Sequence, residues 1–135
     1  MRALRLKVGK KTPQNEEAKH LLAWQLKHLG APVFEVEYRF NTPDTDHRWD
    51  IAFTEEKLAV EVNGGIWIQG AHAHPTTIIR NMKKGNLGAL RGWRVLAFEP
   101  REVKTGGPVN LILEALGINR KQENVHGTSP LPKRR

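Results

Sequence analysis

The stretch RWDIAFTEEKLAVEVN, residues 48–63, holds two short apolar runs joined by the polar turn Thr54-Glu55-Glu56-Lys57. A tight hairpin centred on Glu55 and Glu56 makes residues whose numbers sum to 111 face each other. Phe53 then meets Leu58, Ala52 meets Ala59, and Asp50 lies opposite Glu61. Strand side chains alternate between faces. Asp50, Ala52, Ala59, Glu61 and Asn63 are therefore expected on one face, with Trp49, Ile51, Phe53, Leu58, Val60 and Val62 on the other. The pairing requires an even loop, since an odd loop or a bulge would separate the carboxylates. Two like charges opposed across a ladder repel, and apolar surroundings sharpen the conflict. A divalent cation between them removes it, because hard cations such as magnesium take carboxylate oxygen. The small Ala52 and Ala59 beside the pair leave room for metal and phosphate.

Outward from the hairpin, the pattern predicts a helix over residues 15–29, with Asn15 as N-cap, acids in its first turn and Gly30 as its stop. Leu21, Leu22, Trp24, Gln25, Leu26 and Leu29 form its expected buried stripe. The run VFEVEYRF, residues 33–40, alternates as a half-buried strand, with Phe34, Val36, Tyr38 and Phe40 on one face and Glu35, Glu37 and Arg39 on the other. Pro75 opens a second helix reaching about Arg91. Its core side is read as Ile78, Ile79, Met82, Leu87 and Leu90, and its basic side as Arg80, Lys83, Lys84 and Arg91. Gly85 and Gly88 weaken this helix or allow close packing. A strand over residues 93–98 and a helix over 108–116 complete the order. The result is an α/β or α+β domain, a mixed central sheet flanked by helices, without the glycine-rich fingerprints of nucleotide binders. One domain is expected over residues 1–117, basic at its start, followed by a basic and disordered tail over 118–135.

The chain has no cysteine, which excludes disulfides, thiolate zinc sites and a cysteine nucleophile. No apolar run approaches the length of a membrane span, and the basic start lacks the apolar stretch of a signal peptide, so an intracellular location is expected. The net charge is +8, and much of the excess lies near the two ends. Arg2, Arg5, Lys7, Lys10 and Lys11 precede any acid, and Arg120, Lys121, Lys133, Arg134 and Arg135 face only Glu123. Such arms suit a polyanion and make binding steeply salt-dependent. Beside a carboxylate metal site they point to nucleic acid. The arm residues Arg2, Arg5, Lys7, Lys10 and Lys11, with Arg48, Arg80 and Lys83, are the expected DNA-backbone contacts.

The segment from Asp50 through Glu61 to Asn63 resembles the core of the PD-(D/E)XK nuclease superfamily, whose acids bind magnesium. A wider set of segments, EYRF (37–40), RWDIAF (48–53), LAVEVNGGIW (58–67), GAH (70–72), KGN (84–86) and GWRVL (92–96), resembles a phage and bacterial group akin to archaeal-type Holliday junction resolvases. Asp50, the VNGGIW run at 62–67 and His72 are also similar to the very-short-patch repair endonucleases. The resemblance spans roughly residues 15–100 and implies a restriction-endonuclease-like core. It implies magnesium, with manganese as a substitute, held by Asp50, Glu61 and the Val62 carbonyl, with Glu17 on the first helix, or Glu16 in its place, completing the site. Two departures stand out. Trp49 occupies the place of the usual proline, and Asn63 that of the superfamily's lysine, leaving Asn63 or the relocated Lys84 to orient water and phosphate. His72 is expected to transfer a proton, to contact phosphate, or simply to pack, and a zinc site from His72 and His74 matches poorly. The tryptophans read as core. One of Glu35 and Glu37 joins the site if its strand abuts Asp50.

The expected function is a magnesium-dependent endodeoxyribonuclease that resolves four-way junctions as a homodimer, a chemistry that recombination, replication-fork repair and phage DNA maturation would all share. The rivals are a mismatch-nicking or general nuclease of the same fold and a non-catalytic DNA-binding module.

Overall fold

The computed structural model describes residues 13–41, 45–62 and 75–118. Helix α1 spans Pro13–His28, strand β1 Glu35–Arg39, β2 Arg48–Phe53 and β3 Leu58–Val62. Helix α2 spans Pro75–Leu90, β4 Arg94–Phe98, a 3-10 turn Pro100–Thr105 and α3 Gly107–Ala115. The sheet order is β1-β2-β3-β4, antiparallel across the first two pairings and parallel between β3 and β4. A parallel pair needs a crossover, and α2 lies within the segment that provides it. The fold is thus α/β with a mixed sheet.

The hairpin register follows the expected sum: Phe53 faces Leu58, Ala52 faces Ala59 and Ile51 faces Val60. The four-residue turn closes with Lys57 at φ 57°, a left-handed conformation unusual for a side-chain-bearing residue. One face of the sheet carries Ile51, Phe53, Leu58, Val60, Val62 and Phe98. Ala18, Leu22 and Leu26 of α1 cover it, with Val103, Val109, Ile112 and Leu113 from the 3-10 turn and α3. The other face carries a smaller cluster of Phe40, Trp49, Ala52, Ala59 and Trp93, packed by Tyr38 and Leu87. Trp49 stacks on Phe40 at a ring separation of 4.1 Å and lies under Gly88 of α2. A Cβ at position 88 would sit 2.7 Å from the indole, so only glycine lets the helix approach this closely.

Four expectations are corrected. Trp49 does not share a face with Ile51 and Phe53; it joins Ala52 and Ala59. Likewise Tyr38 and Phe40 lie with Trp49, whereas Phe34 packs on Phe53 in the opposite cluster. The cause is Glu37, at φ 50°, where the ladder skips one rung between Val36–Ile51 and Tyr38–Trp49 without changing register. Both strands change face at that rung. On α1 the buried stripe is Ala18, Lys19, Leu22 and Leu26, while Leu21, Trp24 and Leu29 are exposed. On α2 only Gly88 is buried, and Ile78, Ile79, Met82 and Leu90 are exposed rather than core. Among the described residues no helix is long and apolar enough to cross a membrane.

Candidate active site

The missing rung in the β1–β2 ladder is where the acids gather. Glu37 on β1 lies opposite Asp50 on β2, and the β2–β3 register continues from Ile51–Val60 to set Asp50 beside Glu61. Side chains there replace backbone partners. The Asp50 N–H donates to Glu61 Oε2 at 3.0 Å, and the Val62 N–H donates to Asp50 Oδ2 at 2.7 Å. Each carboxylate therefore locks onto the backbone of the opposite strand, through charge-assisted bonds of the stronger kind.

Two lysines approach from the helices. Lys84 of α2 donates to Glu61 Oε1 at 2.7 Å, and its ammonium lies 5.1 Å from the centre of the Trp49 ring. Trp49 thus helps hold the cation that meets Glu61. Lys19 of α1 lies 2.8 Å from Glu37 Oε2, 3.0 Å from Glu16 Oε2 and 3.4 Å from Asp50 Oδ1. Arg48 Nη1 lies 4.0 Å from Glu37 Oε1, from a more exposed position.

The electrostatics follow from burial and like charge. Burial first, then the charge of Asp50, raises the Glu61 carboxyl to about 7, against the opposing pull of Lys84. Burial opposes the charge on Lys19, but Asp50, Glu37 and Glu16 outweigh it and hold the ammonium above the usual lysine value. His47, stacked on Phe40, is held below the usual histidine value by burial and then by Arg80 and Lys84.

Of the residues expected at the site, the structure brings together Asp50, Glu61, Val62 and Lys84. Glu37 joins them through Lys19. Glu17 does not: it is exposed and lines a shallow cleft with Gln14, Leu21, Arg101 and Lys104. Glu16, three residues before Lys19, is the helical acid on the site's side, because positions three apart share a helix face and Glu17 is turned away by one residue. Arg80 and Lys83 are exposed on α2. Asn63, His72, His74 and Trp67, and the arm residues Arg2, Arg5, Lys7, Lys10 and Lys11, lie outside the described residues.

Lys19 and His47 went unread in the sequence. The signal for Lys19 was present: it stands between Ala18 and Leu22, on the same face as Leu26, so a charge was placed inside an apolar stripe. For His47, the turn that carries it just before β2 gave no comparable signal.

The donor set suits a hard cation bound through few protein ligands. Among the described residues no three His, Asp or Glu side chains form a ready-made cage. Magnesium, however, is commonly held by one or two carboxylates together with water and substrate phosphate. A carboxyl raised by burial and by a neighbouring acid is the condition that a divalent ion relieves. No family model, curated protein or solved structure matches the chain.

Proposed function

We propose that the protein is a metal-dependent, structure-specific DNA endonuclease with a restriction-endonuclease-like core, acting on four-way junctions. The carrying observation is the interlocked Asp50–Glu61 pair with Lys84 bonded to Glu61. An acid pair on adjoining strands offers magnesium its preferred oxygen ligands, and a lysine beside it offers a cation to the phosphate.

Asp50 and Glu61 would hold the ion, with the Val62 carbonyl as a third donor. When bound, magnesium supplies an activated water and neutralises charge on the phosphate. The chain's own groups do the rest. The amides of Asp50 and Val62 keep both carboxylates oriented. Lys84, bonded to Glu61 and backed by Trp49, would meet phosphate oxygen or the attacking water, in place of a lysine at position 63. Arg80, Lys83 and Arg48 add positive charge that binds backbone phosphate without reading bases. Paired incisions across a junction need two such centres, hence a homodimer.

A second reading draws on the same geometry. Every oxygen of Asp50 and Glu61 already has a protein donor. A saturated network favours a structural ion cluster beneath a non-catalytic DNA-binding surface. Incubation of a labelled four-way junction and a matched linear duplex with magnesium separates the two. Symmetric nicks on the junction, absent in Asp50→Ala, support the nuclease. Equal cutting of the duplex shifts the assignment to a general nuclease. Tight binding without cutting in magnesium or manganese leaves the binding module.

A further inference from the structure

Lys19 is nearly buried, at 8% exposure, in a helix stripe whose neighbours Ala18, Leu22 and Leu26 belong to the main core. Apolar packing alone gives no reason for a charge there, because a leucine or methionine would fill the same space, and a buried ion pair is not in itself a source of stability. The reason for the charge lies in its partners. Carboxylates from three separate elements converge on one ammonium: Glu16 from α1, Glu37 from β1 and Asp50 from β2. They converge at the missing rung, where Glu37 has φ 50° and Asp50 contacts β3 through side-chain oxygens. A backbone held in so sparsely populated a region persists only when its surroundings fix it.

We propose that Lys19 is a positioning residue for Asp50. Its ammonium fixes Oδ1 from the α1 side while the Val62 N–H fixes Oδ2, so the carboxylate is held in one orientation before any ligand arrives. Lys84 has a different task, since it touches Glu61 and approaches from the opposite helix. The importance of this positioning for metal binding rests on the nuclease reading above; the positioning itself does not.

The Val62 amide is the reporter, because its hydrogen bond forms only when Asp50 is turned correctly. In Lys19→Gln, with Asp50 free to rotate, the Val62 amide proton shifts upfield and its hydrogen exchange accelerates about tenfold. Lys19→Arg retains both signals. Calorimetric titration with magnesium adds a sign test. Removing a nearby positive charge without disturbing geometry would tighten cation binding, whereas loss of positioning weakens it, by about tenfold. Weakened binding in Lys19→Gln and recovery in Lys19→Arg are expected. A folded Lys19→Gln with an unchanged Val62 amide, or with tighter magnesium binding, overturns the proposal. Unfolding of both Lys19→Gln and Lys19→Met overturns it too, leaving a purely structural ion cluster. If the wild type binds no magnesium, the nuclease reading fails, and the Val62 amide still decides whether Lys19 positions Asp50.

Discussion

The two ends of the β2–β3 hairpin obey different rules. Near the turn, Phe53–Leu58, Ala52–Ala59 and Ile51–Val60 pair rung by rung, all fully buried or nearly so. One residue further along, Asp50 and Glu61 meet through carboxylate–amide bonds instead of a ladder rung, and the ladder to the neighbouring strand skips Glu37. The first end is built from residues that need only a dry, close-packed neighbour. The second gathers like charges that no close-packed core would tolerate unpaired. A regular ladder supplies rigidity, and one missing rung uses that rigidity to aim side chains.

The sharpest break of this contrast comes from single substitutions at each end. Asp50→Ala removes a proposed metal ligand at the end where the acids gather. Cleavage should fall on the order of 10³-fold or more, equivalent to the several kcal/mol of charge stabilisation a bound metal supplies. Folding by circular dichroism should remain. Phe53→Ala, three residues away, should do the reverse: about 3–5 kcal/mol lost in denaturant unfolding, with residual activity in the folded fraction.

The register of the dry end was legible because apolar runs flank an even, polar turn, and the pairings through Ile51–Val60 follow it. The extents of helix α2 and strand β4 were legible from Pro75 and Gly92, although the buried side of α2 was not. The change of face was not. It depends on a left-handed glutamate, and nothing in the residue type of Glu37 announces that conformation, so simple alternation puts Tyr38, Phe40 and Trp49 on the wrong side. At the site, the juxtaposition of Asp50 and Glu61 was legible from type and spacing, whereas Lys84, which bonds Glu61, was reached only through the family resemblance. Lys19 was hidden because a lysine reads as solvated unless its helix neighbours are counted as core, and residue type alone does not separate Glu17 from Glu16, since one residue decides which way a helical acid turns. The 3-10 turn at Pro100–Thr105 also escaped, although Glu99 and Glu102 form its reciprocal cap.

A smaller effect separates two glycines on α2. Gly88→Ala should destabilise by about 1–3 kcal/mol, because its methyl meets the Trp49 ring and overpacks the cluster. It should also disturb activity, since Trp49 backs Lys84. Gly85→Ala, with open space around the added methyl, should stabilise the helix by about 0.5–1 kcal/mol, read as a rise in melting temperature.

The mildest test is pH. The Glu61 carboxyl binds its proton more tightly in the folded state, from an ordinary 4.5 up to about 7. Its stabilising contribution is therefore complete below about pH 4.5 and is lost as pH rises through about 7. His47, shifted downward, acts with the opposite sign: the unfolded chain binds its proton more tightly, so stability is gained as pH rises through the ordinary histidine range. The difference in melting temperature between wild type and Glu61→Gln isolates the carboxyl. That difference should move against the wild type as pH rises from about 4.5 to 7 without metal, and the trend should flatten with magnesium.

The central claim is that the broken rung holds a divalent cation, and calorimetric titration of magnesium into the wild type and Asp50→Asn tests it most directly. One site in the wild type, lost or strongly weakened in the variant, is the predicted result. No binding in the wild type, or equal binding in both proteins, would contradict it.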